Sequence, residues 1–214
     1  KIADDLDCVA MIDRLVLEQS LADFADWQRQ GLGIGKISAN ISSRRLHDPE
    51  LAHSLRTLDI APKSLSFELL ESIFLDDCDR TVLENLAEMR KLGIDIEIDD
   101  FGTGHASIVS LMKLSPRRLK IDRQLVKPVS RSPGQRKLVG TIVEIGRSLN
   151  IEVVAEGVET PAHVAIMRDL GCDILQGYAL ARPMPADAIP DFVRRQEWRA
   201  HAGHARDLQN EVRR

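Results

Sequence analysis

Asp99 and Asp100 are adjacent and lead into Phe101-Gly102-Thr103-Gly104, so two like charges meet a turn built from small residues. Neighbouring carboxylates repel unless a cation or a hydrogen-bond donor neutralises them. Glu68, Glu156 and the amide oxygen of Asn40 offer further oxygen donors elsewhere in the chain. Several carboxylates and one amide make a hard, oxygen-rich ligand set suited to Mg2+ or Mn2+. Zinc would want His or Cys, and neither stands at these positions. With four or more carboxylates, two ions sharing Asp99 balance the charge better than one. Paired ions about 3.5–4 Å apart are an arrangement that cleaves phosphate esters. Lys120 in the same group could orient or deprotonate water, or meet a phosphate. Taken alone, Asp99-Asp100 also reads as a solvated acidic loop.

The elements that must carry these residues alternate between helical and extended patterns. Met11, Leu15, Leu17, Leu21, Phe24 and Trp27 recur at helical spacing over about 9–30. Lys36–Ile41 reads as a strand, and Asp48-Pro49 as the start of a helix to about Leu58. Leu65–Leu70 is a second strand. Thr81–Leu92 is an amphipathic helix stopped by Gly93. Ile94–Asp99 alternates strictly and is a third strand, followed by a helix over His105–Leu114. Arg118–Asp122 is a fourth strand, Arg136–Leu149 a helix and Ile151–Ala155 a fifth strand. Pro161–Leu170 is a helix ended by Gly171. Asp173–Leu175 is a short sixth strand, and a last helix runs from Ala186 to about Trp198.

Strands separated by helices and short links imply βαβ units and a parallel sheet. Asn40, Glu68, Asp99, Lys120, Glu156 and Gln176 each fall at or near the C-terminal end of one of the six strands. A closed barrel gathers the ends of many strands on one site, whereas an open sheet gathers only those beside its switch point. The pattern therefore favours a (β/α) barrel, and no GxGxxG fingerprint follows a strand.

Composition sets the remaining bounds. The 214 residues carry 29 Lys and Arg against 33 Asp and Glu, a net charge of −4, with 43% hydrophobic residues. That mixture belongs to a folded soluble domain and not to a disordered chain. Mild acidity argues against a basic surface that wraps a nucleic-acid polymer. Cys8, Cys78 and Cys172 are scattered, as in a protein with reduced thiols in the cytoplasm. No apolar run approaches the length of a membrane span. The first residues are too acidic for a signal peptide, and the missing initiator Met suggests a piece of a longer protein.

Asn40-Ile41-Ser42, Glu68-Leu69-Leu70-Glu71-Ser72, Asp99-Asp100-Phe101-Gly102-Thr103-Gly104, Lys120-Ile121-Asp122, Ala155-Glu156-Gly157-Val158-Glu159 and Gln176-Gly177-Tyr178 occur in one order at characteristic spacings. In this the chain closely resembles the EAL domain of bacterial cyclic di-GMP phosphodiesterases, over about residues 2–193. The resemblance implies a modified TIM-type (β/α)8 barrel. It sets the domain at residues 1–198, with 199–214 a helical or disordered tail. It implies hydrolysis of cyclic di-GMP to linear pGpG with two Mg2+ or Mn2+ ions. Asn40, Glu68 and Asp99 would bind one metal; Asp99, Asp100 and Glu156 would serve the second. Lys120 and Glu156 would position and activate the attacking water, and Asp122 would orient Lys120. Glu159 and Gln176 would complete the ring around water and substrate. Glu71 would brace the loop after Asp100, which in the family links the site to a dimer surface. A homodimer, a fused upstream sensor or GGDEF domain, and a cytoplasmic location are further implications.

The chain departs from the family in one respect. The Glu-Ala-Leu motif of the first strand, with its metal-binding Glu, does not occur before Asn40, so the first strand is expected to be absent from this sequence and present in the native protein. The alternative reading is an inactive receptor that binds cyclic di-GMP and signals by changing conformation. A barrel enzyme acting on a phosphorylated sugar fits less well, since the late motif is poor in Gly.

Alternation also places Glu97 on the same face as Asp99, and Arg118 on the same face as Lys120. A buried lone carboxylate is costly, so Glu97 is expected to pair with Arg118 inside the barrel. His105 reads as a loop or helix-start residue, Cys172 as a small buried side chain, and His201 and His204 as part of a solvated tail.

Overall fold

A polar residue at every second position gives each early strand one hydrophilic face. That alternation organises the computed structural model of the chain, which describes residues 9–71, 80–104 and 108–196. The chain forms two compact units divided between Lys120 and Ile121.

The first unit contains α1 (Val9–Arg29), β1 (Ile37–Asn40), α2 (Ser43–Leu46), α3 (Leu51–Arg56), β2 (Leu65–Leu70), α4 (Arg80–Lys91), β3 (Asp95–Phe101), α5 (Ile108–Leu114) and β4 (Arg118–Ile121), whose last residue opens the second unit. Strands β1 to β4 lie side by side in chain order, and β1–β2 and β2–β3 are parallel ladders. Leu65, Phe67, Leu69, Ile96, Ile98 and Leu119 are buried on one face of these strands. Each such side chain contributes roughly 1.5–3 kcal/mol by leaving water. The period-two pattern then puts Ser38, Ser66, Glu97 and Arg118 on the opposite face.

That opposite face satisfies its own polar groups. Glu97 is 2% exposed. Its Oε1 accepts from Arg118 Nη1 at 3.0 Å and from Ser38 Oγ at 3.5 Å. Ser38 and Ser66 hydroxyls meet at 3.0 Å, and Lys36 forms an ion pair with Asp95. The Glu97–Arg118 pair expected from alternation is therefore present.

Helix boundaries follow local chemistry, with some shifts from the sequence pattern. Gly93 ends α4 in the left-handed region (φ +74°), where a Cβ would lie 2.8 Å from Pro62 Cβ. The helix expected from Asp48-Pro49 begins instead at Leu51. Asp48 Oδ1 accepts from Glu50 N at 2.9 Å, which makes a turn of those residues. Ahead of it, Ser42 accepts from Arg45 N and starts the short α2. Buried Asn85 on α4 donates to Leu46 O and Asp48 O, satisfying carbonyls where α2 ends. On α1, Leu17 is buried, while Met11 and Leu15 are exposed.

The second unit contains α6 (Arg123–Val126), a 3-10 turn (Lys127–Ser130), α7 (Pro133–Ser148), β5 (Glu152–Ala155), α8 (Pro161–Asp169), β6 (Ile174–Leu175), a second 3-10 turn (Ala186–Ala188) and α9 (Ile189–Arg195). Strand β5 pairs with β6 in parallel. Helix α7 begins three residues earlier than its pattern suggests, because Ser132 caps Gln135 N and Pro133 takes the first position. Helix α8 starts the same way, at Thr160-Pro161. The expected last helix is divided, with a 3-10 turn ahead of α9. Among the described residues no helix is long and apolar enough to cross a membrane. His105, Cys8, Cys78 and the tail with His201 and His204 lie outside the described residues.

Removing Arg118 strands the Glu97 charge. Arg118→Met is expected to cost about 1–3 kcal/mol, the penalty for leaving a buried polar group short of a partner. The double change Glu97→Leu with Arg118→Met should recover much of that loss. Urea unfolding of the three proteins measures it, and a double variant no more stable than Arg118→Met would refute the pairing energetics.

Candidate active site

In the first unit the site residues gather where β1 to β4 end. Asn40 is the last residue of β1 and stands beside Glu68 in the ladder. Glu68 in turn stands beside Glu97, and Leu70 beside Asp99. Lys120, next to last in β4, is buried, and its Nζ lies 2.9 Å from Glu68 Oε2 and 2.9 Å from Asp99 Oδ1. One ammonium thus serves two carboxylates. Burial pushes the Glu68 carboxyl above its ordinary value; Lys120 pulls it back, and the charges of Asp99 and Glu97 add to the rise. The contact between Lys120 and Asp99 is an ion pair at 2.9 Å on a buried carboxylate oxygen. Carboxylates and an amide gathered at neighbouring strand ends form an oxygen-rich set suited to a hard divalent cation.

The chain turns sharply at the end of β3. Asp100 adopts φ +54° and Gly102 φ +98°. Left-handed backbone costs an Asp less than most residues, and such strain gathers at functional sites. The buried Glu71, just past β2, holds this turn. Its Oε2 accepts from Gly102 N at 2.9 Å and from Gly104 N at 3.0 Å. A Cβ on Gly104 would lie 2.9 Å from Glu71 Cδ, so the small residue permits the approach.

In the second unit, Asp122 is buried and caps α6, with Oδ1 accepting from Gln124 N at 2.6 Å. Glu156 follows β5, and its N–H donates to Ile121 O at 3.1 Å. Gly157 takes φ +65°, and a Cβ there would lie 2.5 Å from Arg123 Cβ, so both the backbone and the close approach require Gly. Val158 N donates to Gln176 O at 3.0 Å, which joins the loop after β5 to the loop after β6. Glu159 and Gln176 are exposed and Glu156 is half-buried. Cys172 is a free thiol pushed up to about 12, first by burial and then by Asp173, so it is an inert side chain.

The structure therefore brings Glu68, Asp99 and Lys120 together in the first unit, beside a turn held by Glu71. In the second it ties the Glu156–Glu159 loop to Gln176. The capping role of Asp122 was not evident from the sequence, although an Asp directly before a helix is its usual signal.

Parallel strands alternating with helices, with polar groups at the strand ends, define an α/β protein of the TIM-barrel type. The EAL domain family model matches residues 1–183, and the chain belongs to that family. It is 34% identical over 194 residues to the bifunctional diguanylate cyclase/cyclic di-GMP phosphodiesterase MucR of Pseudomonas aeruginosa, covering 88% of this chain and 28% of MucR. It is 30% identical over 202 residues to the cyclic di-GMP phosphodiesterase PdeR of Escherichia coli, covering 92% of this chain and 30% of PdeR. Among solved structures, the MucR phosphodiesterase in complex with c-di-GMP superposes with a TM-score of 0.81 at 34% identity, over 88% of this chain and 77% of that one. The EAL domain of Mycobacterium smegmatis DcpA gives 0.79 at 28% identity, over 87% and 85%. The chain spans less than a third of the length of the curated relatives it matches.

Lys120→Met tests the charge balance. Because the folded Glu68 carboxyl sits above its unfolded value of about 4.3, its contribution to stability is complete below that pH and is lost as pH rises through the folded value. Removing the ammonium raises the folded value further, so the metal-free variant should lose stability more steeply with rising pH than the wild type. Urea melts in chelator from pH 4 to 8 would show it, and parallel curves for the two proteins would refute it.

Proposed function

We propose that this chain hydrolyses cyclic di-GMP to linear pGpG in the cytoplasm, as the output domain of a longer signalling protein. The observation that carries the reading is the Lys120 bridge between Glu68 and Asp99 where β2, β3 and β4 end. The names of MucR and PdeR support the same substrate.

Asn40, Glu68 and Asp99 would hold one Mg2+ or Mn2+, and Asp99, Asp100 and Glu156 a second. Once bound, such ions neutralise the phosphodiester charge and supply hydroxide at neutral pH. The chain's own groups do the rest. Lys120, an ammonium fixed by two carboxylates, would orient the attacking water, and the Glu156 carboxylate would receive its proton. The water oxygen bonds to phosphorus, one P–O3′ bond breaks, and the proton passes to the departing 3′ oxygen. Asp122 would steady Lys120 from its cap position, and Glu159 and Gln176 would contact water and substrate. Glu71, by keeping Gly102 and Gly104 in place, would hold Asp100 where it is needed.

Asp99→Asn and Glu68→Gln should each lower metal-dependent pGpG formation on the order of 10²–10³-fold, the scale of losing a group that balances transition-state charge. Chromatography of nucleotides with Mg2+, Mn2+ or chelator measures it. Intact cyclic di-GMP in every sample of folded wild-type protein would sink the reading in favour of a receptor.

The second proposal is a homodimer through α5. Ile108, Val109 and Met112 are 53%, 59% and 62% exposed and share one face of that helix. An apolar helix face of this kind suits a second copy of the chain. Light scattering should give a dimer mass for the wild type and a monomer mass for Val109→Glu with Met112→Glu. A wild-type monomer at high concentration would refute it.

A further inference from the structure

His163 stands in the first turn of α8 and is 4% exposed. Its Nδ1 accepts from the backbone N–H of Glu159 at 3.3 Å. Its own backbone N–H donates to Thr160 Oγ1 at 3.2 Å, as part of the helix cap. A backbone amide can only donate, so Nδ1 must be unprotonated and the neutral ring carries its hydrogen on Nε2.

The loop that His163 touches carries two of the acidic residues assigned above. Its backbone is tied at three amides. Glu156 N donates to Ile121 O and Val158 N donates to Gln176 O, at 3.1 Å and 3.0 Å. The third, Glu159 N, is the one tied by a side chain. The first two acceptors are main-chain carbonyls of strands or strand ends and survive most substitutions. The third depends on one ring nitrogen. Glu159 itself is exposed, so without that acceptor its amide would turn to water and the backbone would lose a fixed point between Val158 and the α8 cap.

We propose that His163 is a positioning residue for the hydrolysis: through unprotonated Nδ1 it fixes the backbone of Glu159 and keeps the Glu156–Glu159 loop in its working conformation. This rests on the activity proposed above. A misplacement of catalytic groups by a fraction of an ångström is costly, because reaction needs near-attack geometry.

The test compares His163→Gln, whose side-chain amide oxygen can accept, with His163→Leu, which fills similar space and cannot. Should His163→Leu fail to fold, His163→Met replaces it. The full chain is used, and thermal melts check that the variants are comparably folded. His163→Leu should lower kcat for cyclic di-GMP about tenfold with little change in KM, and His163→Gln should restore it. Amide hydrogen exchange at Glu159 should quicken in the Leu variant and stay slow in the Gln variant. Wild-type kcat in the Leu variant overturns the proposal. So does equal loss in both variants, which would mean that packing and not acceptance matters. Unchanged exchange at Glu159 in the Leu variant overturns it as well. An inactive wild type with the exchange contrast intact would sink the activity reading alone and leave His163 holding the loop.

Discussion

Two carboxylates must be kept near one ammonium in a buried place, and the first unit is arranged around that requirement. Glu68 and Asp99 each lie 2.9 Å from Lys120 Nζ. Unpaired, any of the three would carry a heavy desolvation cost. The three residues come from β2, β3 and β4, so the contact exists only when these strands are neighbours in chain order. That order is built from the other face, where Phe67, Leu69, Ile96, Ile98 and Leu119 leave water. A one-residue slip in any strand would exchange the two faces and bury the charges without partners. The polar face thus helps to specify the register that the apolar face stabilises.

Much of this was legible in the sequence, and the reason is periodicity. Strands of period two with charged residues at alternate positions announce both faces at once, which is why the Glu97–Arg118 pair could be anticipated. Glycine stops were legible too: Gly93 and Gly171 both take positive φ after their helices. What escaped was local. The short helices α2 and α6 are too brief for a periodic signal and are started by single caps, Ser42 and Asp122. Helical spacing marked Met11 and Leu15 as apolar, but spacing does not say what a face meets, and both are exposed.

The second unit was less readable because its site loop is held mainly by backbone. Gln176 and Ala155 are joined by Gln176 N donating to Ala155 O at 2.9 Å, and Val158 is gripped from Gln176 and Ala179. A Cβ on Gly177 would lie 2.4 Å from the Val158 backbone. That approach makes sense of Gly in Gln176-Gly177-Tyr178, but no pattern in the sequence reveals which backbone it meets. His163 was missed for the same reason: its partner is an amide, which every residue has.

The distribution of paired charge in the first unit explains why its strand ends suit a divalent ion. Asp95 is paired with Lys36, Glu97 with Arg118, and Glu71 with two backbone amides. Glu68 and Asp99 share the Lys120 ammonium, and two ionised carboxylates around one ammonium make a place where a divalent cation is favoured. Burial already pushes Glu68 toward its neutral form, and a cation beside it would favour the ionised form. The structural pairs beneath the site matter because Lys36 and Arg118 neutralise Asp95 and Glu97, so that the carboxylates at the strand ends are not burdened by two further uncompensated charges.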